Sequence, residues 1–398
     1  MAKPPRMGTP GTVVDRGLEG IIVGATALSD VDGEAGRLTY RGYDIAELAT
    51  QASFEEVAHL LLFGALPSIH QLGNFKVRLA ASRTLPPTVL EWLSAMPLGA
   101  WPMDVLRTAI SALALFTPHP SEGAHLSSPR SAIDLIAKTP TIVAAWDRIR
   151  RGLRPIDPLP SLSTAANFLY MRTGKMPHPD AERALDAYLI VLADHSLTAS
   201  TFAARVTAST HADIFASTTT ALAALGGELH GGASGAVMTM LLEIDTPARA
   251  QSYVRARVEQ GEGVLGLGHR EYRVRDPRAV PIEAAARDLS EVTNTRWFAV
   301  ARALETAASS ELAAAPQTSL YANVDFYAAP LLYALDIPPD EFTCLFACGR
   351  MAGWTAHVLE QRAANRLIRP QAAYRGPAPR PWSPLERRDT SRPSDDVR

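Results

Sequence analysis

From residue 53 to residue 361 the chain carries one helix signal after another, and few segments alternate with period two. A 3.6-residue apolar period sustained over most of a chain leaves little room for a sandwich or a barrel, so an all-α fold is expected. The motif Ser53-Phe-Glu-Glu56 is a capping box, followed by Val57, Leu60 and Leu61 at helical spacing and stopped by Gly64 and Pro67. Further helices are expected over residues 71–83, 86–95, 102–116, 131–137, 141–151, 163–172, 181–192, 199–208 and 212–225. Pro140 should break or kink the run between the fourth and fifth of these. Pro247 at a first helical position opens a helix to Gln260 with Gly261 just beyond it, and 281–292, 295–309 and 339–361 complete the set. Residues 321–327 interrupt the run between 295–309 and 339–361. Only near the N-terminus is a small β-hairpin expected, with 21–29 and 37–42 as strands around a turn at 30–33.

At 398 residues, 47% of them hydrophobic and 20% charged, the chain can bury a large core and hold two domains. The formal net charge of -2 provides no broad basic field, so a nucleic-acid partner is not expected. No run of 18 apolar residues appears and residues 1–8 have no apolar core of a signal peptide, so neither a membrane span nor secretion is expected. The two cysteines, Cys344 and Cys348, exclude a disulfide framework and fit a reducing cytoplasm, and with no other cysteine to join them they read as buried small hydrophobes. No HExxH or clustered His/Cys spacing suggests a metal. Beyond residue 376 the chain is rich in Pro, Arg, Ser and Asp, the composition of a disordered tail.

Candidate chemistry lies in a few places. The stretch Gly263-Val-Leu-Gly-Leu-Gly-His-Arg-Glu-Tyr-Arg-Val-Arg-Asp-Pro-Arg278 has three glycines that let backbone approach a ligand, then His269, then Arg270, Arg273, Arg275 and Arg278. Such a loop suits a carboxylate or phosphate, although its GxxGxG order is not a dinucleotide fingerprint. His195 ends a helix, His230 stands in a glycine turn, and His357 lies inside an ordinary-looking helix and reads as structural. Asp325 lies between Val324 and Phe326, where apolar surroundings would raise its pKa and make it a better base; capping a helix or turn is the alternative. Arg350 in an apolar helix requires an anion, either a structural carboxylate or a substrate. One carboxylate, two imidazoles and several arginines suit carbon–carbon bond formation between a carboxylate-bearing carbonyl compound and a weak carbon acid.

In the order in which they occur, Tyr40-Arg-Gly-Tyr-Asp-Ile45, Phe54-Glu-Glu-Val57, Lys138-Thr-Pro-Thr-Ile-Val-Ala-Ala145, Ala193-Asp-His195, Ala199-Ser-Thr-Phe202, Leu229-His-Gly-Gly-Ala233, Gly268-His-Arg270, Asp276-Pro-Arg-Ala279, Asn323-Val-Asp-Phe-Tyr327, Gly353-Trp354, Ala356-His-Val-Leu-Glu-Gln361 and Arg369-Pro370 resemble the citrate synthase family. The likeness runs from about residue 17 to residue 376. It implies a homodimer of two-domain helical chains. The large domain would comprise residues 1–225 and 336–376, a small mobile domain 226–335, and the tail 377–398. It implies that acetyl-CoA is the cosubstrate, that oxaloacetate is the acceptor and that no metal is needed. Asp325 matches the base that takes a methyl proton, His230 the residue that stabilises the enol, and His269 the one that polarises the oxaloacetate carbonyl. His195, Arg278 and Arg350 match oxaloacetate-binding positions, Arg273 a basic position near the CoA phosphates, and Arg369 an arginine that reaches the partner subunit's site. Citryl-CoA would then be hydrolysed.

Several positions depart from what is common among relatives. Ser196 and Thr198 replace Glu and Asn, Ser234 replaces Asn, Ala328-Ala329 replaces Ser-Gly, and Glu271 replaces an apolar residue. Glu271 could repel a dianionic substrate unless Arg270 or Arg273 neutralises it. The alternatives within the resemblance are a 2-methylcitrate synthase using propionyl-CoA, since one methylene shifts selectivity by only about 1–3 kcal/mol, and a catalytically silent relative that binds CoA or a dicarboxylate.

Overall fold

The computed structural model describes residues 17–18, 20–117, 127–312 and 321–388. By contacts the chain divides into two units, Met1–Ala25 with Arg369–Arg398, and Thr26–Ile368. In the first unit, the described residues beyond 368 are exposed or nearly so, and their one regular element is a 3-10 turn at Leu385–Arg387. Residues 389–398 of the expected tail lie outside the described residues.

The second unit opens with a three-stranded antiparallel sheet of β1 (Ser29–Asp32), β2 (Arg37–Tyr40) and β3 (Tyr43–Asp44), with Ser29 opposite Tyr40 and Asp32 opposite Arg37. The turn therefore falls at 33–36 rather than at 30–33, and residues 21–28 form no strand. Two features place it there. The Asp32 carboxylate accepts from the Ala35 N–H at 2.9 Å, and Gly36 takes φ +62°, which a side chain disfavours.

Sixteen α-helices follow among the described residues. The first six are α1 (Ile45–Gln51), α2 (Phe54–Phe63), α3 (Ile69–Ser82), α4 (Pro87–Ser94), α5 (Pro102–Leu113) and α6 (Pro129–Arg150). Next come α7 (Thr164–Thr173), α8 (Pro179–Leu192), α9 (Ala199–Ser209), α10 (Ile214–Leu225) and α11 (Ala233–Ile244). The last are α12 (Ala250–Glu259), α13 (Ala279–Thr293), α14 (Trp297–Leu312), α15 (Val324–Ala334) and α16 (Phe342–Ala363). The all-α expectation with a small N-terminal sheet holds.

Local signals explain many boundaries. Ser53 and Glu56 form the capping box of α2, and Gly64 ends it at φ +87°. Gly174 ends α7 in the same left-handed way. Three outcomes differ from expectation. The α6 helix runs unbroken through Pro140, because residues 139–147 are all buried and packing outweighs a lost hydrogen bond and ring clash of about 3 kcal/mol. Residues 233–244, which the periodicity left unassigned, form α11 with Val237, Met238, Leu241 and Ile244 inward. The stretch expected to interrupt the helices starts α15 at Val324, since the Asn323 side chain caps it by accepting from the Asp325 N–H at 3.0 Å.

The core centres on α16, which is buried nearly from Phe342 to Val358 and packs against α2, α6, α8, α9 and α10. Two glycines permit its contact with the C-terminal half of α8. A Cβ at Gly349 would lie 2.8 Å from the Leu189 carbonyl oxygen, and one at Gly353 would lie 2.3 Å from that of Ala193. That crossing fixes the backbone just before His195 and places Arg350 beside it.

Candidate active site

Four segments converge on Arg350. The first is the end of α8. Asp194 is buried, its main chain exchanges hydrogen bonds with the Tyr40 hydroxyl at 2.8 and 3.1 Å, and its carboxylate accepts from Ser29 and faces His357 Nε2 at 3.3 Å. Burial opposes the Asp194 charge, but His357, Arg350 and Ser29 outweigh it and hold the carboxyl below the usual range. His357 is thus structural, as expected. The next residue, His195, is buried with Nε2 3.0 Å from the Tyr272 hydroxyl. Burial, then Arg278 and Arg350, push its pKa well below the ordinary value.

The second segment is the glycine turn before α11. Here His230 Nε2 lies 2.8 Å from Ser200 Oγ and accepts from the Ser200 N–H at 3.4 Å. Because Trp354 Nε1–H donates to the same Ser200 oxygen at 3.2 Å, the hydroxyl proton is free to turn toward the imidazole. The proton of a neutral His230 is therefore on Nδ1, available to a ligand. Burial and the nearby Arg350 bring its pKa down to about 4.

The third segment is the arginine loop. The hairpin turn holds it: Arg273 N–H donates to the Gly33 carbonyl at 3.0 Å, and a Cβ at Gly33 would stand 2.1 Å from the Glu271 carbonyl oxygen. His269 Nδ1 accepts from the N–H groups of Glu271 at 3.0 Å and Tyr272 at 3.3 Å, which leaves the proton on Nε2. Nε2 faces Arg278 Nη2 at 3.1 Å, so two donors sit side by side and call for one acceptor oxygen from outside the protein. Burial and Arg278 lower the His269 pKa to about 4. Arg278 is itself buried, held by Asp276 through contacts of 3.0 and 2.8 Å; burial opposes its charge, and Asp276 more than compensates.

The fourth segment is the start of α15. Asn323 N–H donates to Gly266 O at 2.9 Å, Asn323 Nδ2 to Gly268 O at 2.9 Å, and Val324 N–H to Asp276 Oδ2 at 3.1 Å. These bonds clamp the glycine loop to the helix and bring Asp325 into the cluster. Its carboxylate accepts from the Ser234 hydroxyl; burial pushes its pKa up while that bond pulls it back. Arg350 sits among them with Nε donating to the Leu192 carbonyl at 2.6 Å and its guanidinium carbon 4.7 Å from the Phe346 ring centre. Among the described residues its buried Nη1 has no hydrogen-bond partner. Burial lowers its pKa to about 10 despite Asp194.

The structure thus brings together His195, His230, His269, Arg278, Asp325 and Arg350. Arg273 is exposed and its guanidinium donates to the Arg270 carbonyl at 3.2 Å. Arg369 belongs to the other unit, is exposed and donates to the Pro370 carbonyl at 3.1 Å. Glu271 is exposed and serves the site through its main chain. Sequence reasoning passed over Tyr272, which is buried with its ring 4.7 Å from that of His269 and 5.6 Å from that of His195. It also passed over Ser200. The signal available for both was position, since each lies inside a quoted motif or beside one. Among the described residues, no cluster of three or more His, Cys, Asp or Glu side chains could hold a metal ion, and no helix is long and apolar enough to cross a membrane.

The family described as "Citrate synthase, C-terminal domain" matches residues 17–371. This chain belongs to the citrate synthase family. Among its relatives, citrate synthase 2 of Bacillus subtilis is 41% identical over 375 residues, covering 94% of this chain and 99% of that one. The 2-methylcitrate synthase of Mycobacterium tuberculosis is also 41% identical, over 364 residues, covering 91% of each chain. The citrate synthase of Thermoplasma acidophilum, solved as a ternary complex with carboxymethyl coenzyme A and oxaloacetate, is 29% identical with a TM-score of 0.85, covering 94% of this chain and all of that one.

Proposed function

We propose that this citrate synthase family member condenses acetyl-CoA with oxaloacetate, giving citrate and CoA. The observation that carries the reading is the buried Nη1 of Arg350, without a hydrogen-bond partner among the described residues, in a cluster of three imidazoles that burial and the arginines keep neutral and one carboxylate. A buried guanidinium beside Arg278 with only part of its donors paired suits the carboxylates of a small diacid. With His195 they would hold oxaloacetate. Its keto oxygen fits between the two donors, His269 Nε2–H and Arg278 Nη2.

Asp325 takes a proton from the methyl group of acetyl-CoA. The C–H electron pair moves into the carbon–carbon bond of an enolate, whose oxygen receives a hydrogen bond from His230 Nδ1–H. A neutral donor serves here because it does not require a full charge to form and vanish in a buried site. The enolate carbon attacks the oxaloacetate carbonyl carbon, and His269 stabilises the oxygen that gains charge. Water then cleaves the citryl thioester.

The domain assignment proposed here is 1–225 with 336–376 as the large domain and 226–335 as a mobile one that closes over the substrates and excludes water. The working unit is proposed to be a cytoplasmic homodimer in which Arg369 reaches the partner's pocket and Arg273 meets the CoA phosphates. The test is CoA release with oxaloacetate across a panel of acyl-CoAs. Acetyl-CoA should give the highest kcat/KM; a preference for propionyl-CoA would make the protein a 2-methylcitrate synthase, and background rates with folded dimer would make it a silent binder. Asp325→Ala should fold and bind oxaloacetate while turnover falls by about 100-fold or more.

A further inference from the structure

Asp325 has a partner to which no role has been given. Among the described residues, the Ser234 hydroxyl makes the one hydrogen bond that the Asp325 carboxylate accepts, and it does so at Oδ1. Ser234 is only 2% exposed. It lies in the first turn of α11, and that turn is pinned from several directions. Gly231 N–H donates to the Leu225 carbonyl at 3.0 Å, and Thr343 Oγ1 donates to the Gly231 carbonyl at 2.8 Å. A Cβ at Gly235 would stand 2.9 Å from the Pro339 carbonyl oxygen, so α11 lies directly against that backbone. On the other side Asn323 and Asp276 fix the first turn of α15. Two rigid helix starts, 91 residues apart in sequence, therefore hold a hydroxyl against a carboxylate.

We propose that Ser234 is a positioning residue for the base: its hydroxyl occupies Oδ1 and leaves Oδ2 as the atom that takes the methyl proton. This rests on the reading of Asp325 as the base. During the transfer the C–H bond breaks and an O–H bond forms at Oδ2, while Ser234 keeps its own proton throughout. Holding one oxygen removes the carboxylate's rotation about its last torsion, and such misplacement is costly where reacting atoms must meet within about 3–3.5 Å. The hydroxyl also favours the charged form of Asp325 against burial. The other charged and titratable groups that act on the carboxylate are Arg278 and Asp276 from the arginine loop, Arg350 from α16 and Tyr188 from α8. Among the described residues none of these donates a hydrogen bond to it, so none substitutes for Ser234.

The experiment compares Ser234→Ala and Ser234→Thr with wild type, reading kcat, KM for oxaloacetate and the acid limb of the kcat–pH profile, with thermal melts as a control for folding. Ser234→Ala should lower kcat about ten-fold or more, leave KM for oxaloacetate within about two-fold, and move the acid limb to higher pH, because a carboxylate that loses a donor binds its proton more tightly. Ser234→Thr should return both kcat and the limb toward wild type. Should either variant fail to fold, Ser234→Cys keeps the volume with a weaker donor and should fall between wild type and loss. Unchanged kcat and acid limb in folded Ser234→Ala, with Asp325→Ala inactive, would overturn this inference and leave the base intact. An active Asp325→Ala would remove both.

Discussion

Arg350 shows how one side chain can be costly to the fold and necessary to the site. Its Nε has the Leu192 carbonyl, yet among the described residues its buried Nη1 has no hydrogen-bond partner, and its pKa is drawn down to about 10. A paired buried arginine costs about 3–5 kcal/mol when its partner loses it. Here much of the pairing awaits the ligand, so Arg350→Met should destabilise the unliganded protein by far less than that. The same variant should lose the rise in melting point that oxaloacetate gives wild type, and kcat/KM for oxaloacetate should fall about 100-fold. A variant that still melts higher with oxaloacetate would remove Arg350 from the site. Glu271 teaches the converse. Its charge looked hostile in the sequence, but the residue faces solvent and contributes an N–H to His269.

Among the elements, the contact of α16 with α8 governs the position of His195. Gly353 N–H donates to the Ala193 carbonyl at 2.9 Å, and a Cβ on Gly353 would come 2.4 Å from Asp194 Oδ1 as well as 2.3 Å from that carbonyl oxygen. One obstacle is backbone and the other a buried carboxylate held by Ser29 and His357, so Gly353→Ala should destabilise by about 1–3 kcal/mol and weaken oxaloacetate binding by displacing His195. Chemical denaturation and a binding titration check both parts. A variant as stable as wild type would show that the two helices can slide apart without harm. Helix ends show what local chemistry can reveal. The capping box at Ser53 and Glu56 and the left-handed Gly64 were readable because each motif spans only a turn of chain. By contrast α11 was missed: it opens straight from a glycine turn with no side-chain cap to announce it.

At the scale of the whole molecule, buried titratable groups set a pH dependence. The carboxyl of Asp186 is pushed up to about 8 by burial and by Glu55, and that of Glu341 to about 8 by burial and by Asp147. Such acids keep protons in the fold that the unfolded chain has released above about pH 4–4.5. Their contribution is thus present at low pH and lost as pH rises through 8. His230 and His269, lowered to about 4, act in the opposite sense, since the unfolded chain binds their protons below about pH 6.5 and stability falls as pH drops from there. The two trends oppose one another below about pH 6.5 and only the acids act above it. Thermal melts should therefore fall from pH 6.5 to 8.5 (a window set by these pKa values, roughly), and Asp186→Asn should flatten part of that slope. A wild-type melting point that stays level across this range would refute the assignment.

The sequence by itself determined the helical class, most helix ends and the kinds of group available for chemistry, because periodicity, caps and glycine turns act within a few residues. Tertiary structure alone decided which of those groups became chemically distinctive. It carried α6 through Pro140, buried Arg350 without a full set of partners, put the proton of His230 on Nδ1 and that of His269 on Nε2, and set Ser234 against Asp325. Desolvation and hydrogen-bond pairing depend on neighbours from distant parts of the chain, such as Tyr272 beside His195 across 77 residues, and no local pattern encodes those neighbours.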